Sequence, residues 1–96
     1  MSIERMLNHM SDPIIILNKH GEHTFSNKAA CRRSFGDSVD NIGSESLERS
    51  LRDLLAGTIQ APLTMFVRDG ISIEGDFEVN IDYFYDFIII HFKPIA

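Results

Sequence analysis

The chain has 96 residues, with 9 Lys plus Arg against 14 Asp plus Glu and a formal net charge of −5. Such an acidic balance lacks the basic patch that a nucleic-acid backbone or an anionic membrane surface requires, so neither is expected as a partner. The one cysteine, Cys31, excludes an intramolecular disulfide and a cage of several thiolates.

The length fits one domain, residues 1–96, with an N-terminal helix in 1–11 and a core in 12–96. The N-terminal segment carries Glu4, Arg5 and Asn8, which interrupt any signal-peptide apolar stretch. The longest apolar runs, Ile14–Leu17 and Phe87–Ile90, are far too short for a membrane span. With a reduced thiol, these features lead to an expected cytoplasmic location.

Ile3, Met6, Leu7 and Met10 fall at i, i+3, i+4 and i+7, one apolar stripe on a short helix over residues 3–10. Asp12-Pro13 ends it, because the residue before proline avoids helical dihedrals. Residues 14–18 form a β-branched strand. Lys19-His20-Gly21-Glu22 is a turn, and residues 23–26 return as the second strand of a hairpin. Asn27 is a suitable N-cap for a helix over 28–35, closed by Gly36. Residues 37–43 are polar and irregular.

Ser44 caps a longer helix over 45–56, whose Leu47, Leu51, Leu54 and Leu55 share one face, and Gly57 closes it. Two strands, 63–68 and 71–82, flank the hairpin pair Asp69-Gly70. In the second, Ile71, Ile73, Phe77, Val79 and Ile81 point one way, with Gly75 in register. Ser72, Glu74, Asp76, Glu78, Asn80 and Asp82 point the other way, toward water. Residues 83–86 turn the chain into a last strand, 87–93. That strand and 14–17 do not alternate, so both should lie centrally, buried on both faces, with the N-terminal helix behind them.

Several motifs in this order carry a resemblance. Residues 12–30 run through an apolar strand, a turn ending in Gly21, a second strand, Asn27 and then Ala29 with Ala30. The Arg68-Asp69-Gly70 turn precedes a long strand. Together they resemble a PAS sensory domain over about the whole chain. Asn18 departs from the family's frequent aspartate, and the family's Asp-x-Thr motif does not follow Lys93-Pro94. The resemblance implies an α+β fold: a five-stranded antiparallel sheet in order 2-1-5-4-3, with helices on one face and the N-terminal helix besides. It also implies a regulatory input module of a larger signalling protein, with a histidine kinase, cyclic-dinucleotide enzyme or transcription regulator as output.

Cofactor anchors of that family are missing. Haem-binding members place a histidine on the helix that here spans 45–56, which has none. Photoactive flavin members use an Asn-Cys-Arg motif, whereas Ala30 precedes Cys31-Arg32 and the pair lies on an earlier helix. No cofactor is expected. A small-molecule cavity would be walled by Leu51, Leu54 and Leu55 from the helix, by Ile73, Phe77 and Val79, and by Ile88, Ile90 and Phe92 from the last strand. A packed core is the alternative use of the same residues, and a ligand-free interaction domain is the functional alternative.

The expected partner is a second copy. Its interface would comprise Ile3, Met6, Leu7 and Met10 of the helix with Phe87 and Ile89 of the sheet's back, because one short helix cannot cover that apolar area alone. No metal site is expected: His20 and His23 lie on a solvated hairpin tip, and His91 reads as packing or interface on the sheet's back. Cys31 reads as a half-buried helix cysteine with no catalytic role. The acidic stripe Glu74, Asp76, Glu78 and Asp82 reads as a solvated face. A small cavity enzyme would need an acid/base pair facing the core, and the carboxylates fall on caps, turns and the water face. The domain itself is therefore not expected to be an enzyme.

Overall fold

The computed structural model describes residues 3–32, 44–68 and 75–95. The elements are α1 (Ile3–Asn8), β1 (Ile14–Leu17), β2 (His23–Ser26), α2 (Lys28–Arg32), α3 (Glu45–Ala56), β3 (Leu63–Val67), β4 (Phe77–Phe84) and β5 (Phe87–Pro94). The five strands form one antiparallel sheet in the order β2-β1-β5-β4-β3. The first and last strands are therefore neighbours at its centre.

The register sorts the side chains onto two faces. β1 pairs Ile15 with Ile90 and Leu17 with Ile88, while β4 pairs Val79 with Phe92 and Ile81 with Ile90. These residues are fully buried with Phe77, Val67 and the α3 leucines Leu47, Leu51 and Leu54 in one apolar core. Phe77 and Phe92 meet edge to face, their ring centres 6.0 Å apart. At the periphery the Tyr83 hydroxyl donates to the Leu54 carbonyl at 3.3 Å and ties α3 to β4.

α3 keeps its expected bounds because both ends are capped locally. Ser44 Oγ accepts from the Leu47 amide at 3.4 Å, and Gly57, at φ +80°, donates to the Leu54 carbonyl. The hairpin before β2 is held by Asn18. Its Oδ1 accepts from the amides of His20 and Glu22, and Gly21 adopts φ +81°.

The structure corrects several boundaries. α1 ends at Asn8, not at Met10. His9 and Met10 close shorter turns onto Met6 and Leu7, and the Asn8 side chain accepts the Lys28 amide at 2.9 Å. Met10 therefore lies beyond the helix that was to carry it. β1 stops at Leu17, and β3 stops at Val67. The long fourth strand begins at Phe77, because Gly75 takes φ +92°, a turn conformation and not an extended one. Its other end runs on to Phe84, so the turn is only Tyr85-Asp86. The helix beyond Arg32 with Gly36, the irregular 37–43 segment, the Asp69-Gly70 turn and the inward Ile71 and Ile73 lie outside the described residues.

Burial of the central strands on both faces holds for β1 and only partly for β5. Ile14 is buried on the outer face, but Ile89 and His91 are half-buried and Phe87 is exposed. α1 contains no buried residue. It lies across the outer face without sealing it.

Candidate functional site

The residue that organises the N-terminal third is Asn27. It is the one buried polar side chain among the described residues, and all of its hydrogen-bonding capacity is used. Oδ1 accepts from the Ile14 amide of β1 and from the Ala30 amide in the first turn of α2, both at 3.0 Å. Nδ2 donates to the Leu7 carbonyl of α1 and to the Asp12 carbonyl of the connecting segment, both at 2.9 Å. The expected N-cap role is correct, yet it accounts for only one of the four bonds. Of the other three, one reaches α1, one the segment after it and one β1, and sequence spacing carries no signal for partners 13 to 20 residues away.

A second tie runs beside it. Asp12 Oδ2 lies 2.9 Å from His91 Nε2, each side chain about 30% exposed, and the Phe92 amide donates to the Pro13 carbonyl at 2.9 Å. The segment between α1 and β1 is thereby fastened to β5. From the sequence His91 is expected to pack or to join an interface, not to make this bond. Its partner lies 79 residues away, beyond the reach of any local pattern.

Between α1 and the outer face lies a groove of about 250 Å³. Ile3 and Leu7 form one wall, Ile16, Phe25 and Ile89 the floor, and Phe84 and Phe87 the far rim. Glu4 and Thr24 are its polar margin. Apolar surface continues outside it: Ile3 is 56% exposed, Met6 51%, and the tip between β4 and β5 presents Tyr83, Phe84, Tyr85 and Phe87. Tyr85 is 86% exposed at φ +55°, a conformation unfavourable for a residue with a Cβ. No protein-family model and no curated protein matches this chain.

The predicted site residues divide into two sets. Leu51, Leu54, Phe77, Val79, Ile88, Ile90 and Phe92 meet as buried core between α3 and the inner face, with Leu55 half-buried beside them. Ile73 lies outside the described residues. Ile3, Leu7, Phe87 and Ile89 come together around the groove, while Met6 and Met10 are exposed and not among its lining. The aromatic tip was missed because residues 83–86 read as a turn, and a turn carries no face. Its composition, four aromatics in five residues, was the available signal.

The remaining polar candidates stand alone. Cys31 is exposed on α2, not half-buried, and its Sγ lies 3.9 Å from the Ser26 carbonyl. His20 is exposed, and His23 Nε2 is 2.7 Å from Ser26 Oγ. Among the described residues no three His, Cys, Asp or Glu side chains are placed to share a metal ion. Of the acidic stripe, Asp76 and Asp82 are exposed, Glu78 is half-buried and accepts from Asn80 Nδ2, and Glu74 lies outside the described residues. No described helix is long and apolar enough to cross a membrane.

Proposed function

We propose that this chain is a PAS-like sensory or regulatory input module of a larger signalling protein, working through homodimerisation on the α1 face and through occupancy of its core. The reading is carried by Asn27. One buried side chain bonds α1, β1 and α2 at once, so a shift of β1 or α2 within the core alters the seat of α1. α1 in turn presents apolar side chains outward, beside the exposed aromatic tip. A second copy covering Ile3, Met6, Phe84 and Phe87 would remove a patch that soluble monomers seldom display. A signal then consists of a change in the balance between two packings of α1 against its symmetry mate, biased by whatever occupies the core. Cytoplasmic placement and an absence of catalysis by the domain itself belong to this reading.

A second reading, a ligand-free interaction domain, is favoured by the core. Seven of the nine proposed cavity residues are buried against one another, and none offers a polar group to orient a ligand. Native mass spectrometry of the purified chain separates the two: a retained small molecule supports sensing, and the bare mass supports interaction alone.

The dimer is tested by sedimentation at high micromolar concentration. The unmodified chain should self-associate, and Ile3→Glu with Met6→Glu, both at exposed positions, should lower its weight-average mass by removing the α1-face contact while the circular dichroism spectrum is retained. A monomer for the unmodified chain would count against the reading.

A further inference from the structure

The two edges of the sheet are built differently. β2, at one edge, has four residues and faces a register irregularity between Ile16 and Leu17 of β1. Short strands and bulges are ways in which proteins keep an edge from pairing with another chain. β3, at the other edge, shows no such irregularity among the described residues. It pairs with β4 through five successive residues, from Leu63–Ile81 to Val67–Phe77, with no irregularity. Its sequence, Leu-Thr-Met-Phe-Val, has no charge and no proline. It ends the longest uncharged run in the chain, residues 54–67, in a protein of net charge −5. Phe66 stands 65% exposed on this strand, and Ile59, just before it, is exposed as well.

We propose that β3 is an interaction edge that pairs antiparallel with β3 of a second copy, about a two-fold axis at Met65. Antiparallel pairing about that axis sets Met65 opposite Met65, Thr64 opposite Phe66 and Leu63 opposite Val67. The two sheets become one of ten strands. The occupant is a second copy because the edge is complementary to itself. An acidic protein repels its own copy over most of its surface, and here the facing segments carry no charge over the whole paired length. Phe66 of each copy covers the smaller Thr64 of the other on the outer face, and Leu63 meets Val67 on the core side. The pairing is isologous and separate from the α1 face. It stands whether or not that face dimerises.

The test uses the full chain carrying Ile3→Glu and Met6→Glu, so that the α1 face is silenced. Sedimentation across a concentration series should still show a monomer–dimer equilibrium, not weakened by salt, because no attractive charge pair is lost and screening relieves the net repulsion of the acidic copies. Phe66→Lys, at an exposed position, should weaken it about tenfold or more by burying a cation at the edge. Its circular dichroism spectrum and unfolding midpoint should match the parent.

Register is read by oxidative cross-linking in a Cys31→Ser background. Met65→Cys should cross-link, whereas Leu63→Cys should not, because its copies lie roughly 13 Å apart in this register. A background variant that stays monomeric at high micromolar concentration overturns the proposal, including the case in which the edge serves a strand of another protein. So does a Phe66→Lys variant that associates as tightly as its parent, or cross-linking through Leu63→Cys in preference to Met65→Cys. Failure of the α1 dimer leaves each of these outcomes readable.

Discussion

Asn27 Nδ2 donates to the Leu7 carbonyl at 2.9 Å, and this bond seats α1 on the rest of the domain. Its strength depends on the residue being an amide. Aspartate would keep both acceptor bonds, to the Ile14 and Ala30 amides, but would turn an oxygen toward the Leu7 and Asp12 carbonyls. Asn27→Asp is therefore expected to loosen α1 selectively. Hydrogen exchange should quicken in residues 3–8 and stay slow in α3, with a stability loss of about 1–3 kcal/mol. Asn27→Ala loses the cap as well and should cost about 2–4 kcal/mol in urea unfolding. Equal protection of α1 in Asn27→Asp and the parent would show that α1 is held by something else.

Phe77 tests the core. Its ring is buried, meets Phe92 edge to face, and follows directly on the turn at Gly75 and Asp76. Phe77→Ala should destabilise the fold by about 3–5 kcal/mol, a large part of a small domain's stability. Phe77→Leu, which keeps much of the volume, should lose less than half as much. The midpoint of urea unfolding at constant m-value reads both.

The Asp12–His91 contact joins the α1–β1 segment to β5 at a partly solvated position. A double-mutant cycle with Asp12→Ala and His91→Ala should give a coupling of about 0.2–1 kcal/mol, reduced by salt. No measurable coupling would leave the Asn27 bonds and the Phe92–Pro13 backbone bond as the fastening of that segment.

Tyr85 occupies the first position of a two-residue turn at φ +55°, where glycine is preferred. Tyr85→Gly should raise stability by about 0.5–1 kcal/mol, the edge-to-face contact with Phe84 being on the surface. The same change should weaken dimers formed through the α1 face, since it strips the tip of its most exposed ring. Opposite effects on thermal unfolding and on sedimentation would identify Tyr85 as a residue kept for contact and not for folding. A loss of stability would remove that argument.

Periodicity, caps and turn residues were enough to set out eight elements, to place β1 and β5 at the centre of the sheet and to choose the faces of α3 and β4. These are local properties: a leucine every third or fourth residue, a serine before a helix and a glycine after it each act within one or two turns of chain. The alternation held from Phe77 to Asp82 but gave no sign of the break at Gly75, because a glycine inside a strand pattern does not reveal its φ. What local pattern could not supply was the set of bonds made across the chain: Asn27 to Leu7 and Asp12, His91 to Asp12, Tyr83 to Leu54. Each partner there is one polar group among many until the sheet closes. It becomes specific only when the apolar faces have packed and a buried amide must find every bond it lost to water. The core was thus determined by side-chain pattern, and the seat of α1 on the outer face was decided by tertiary structure.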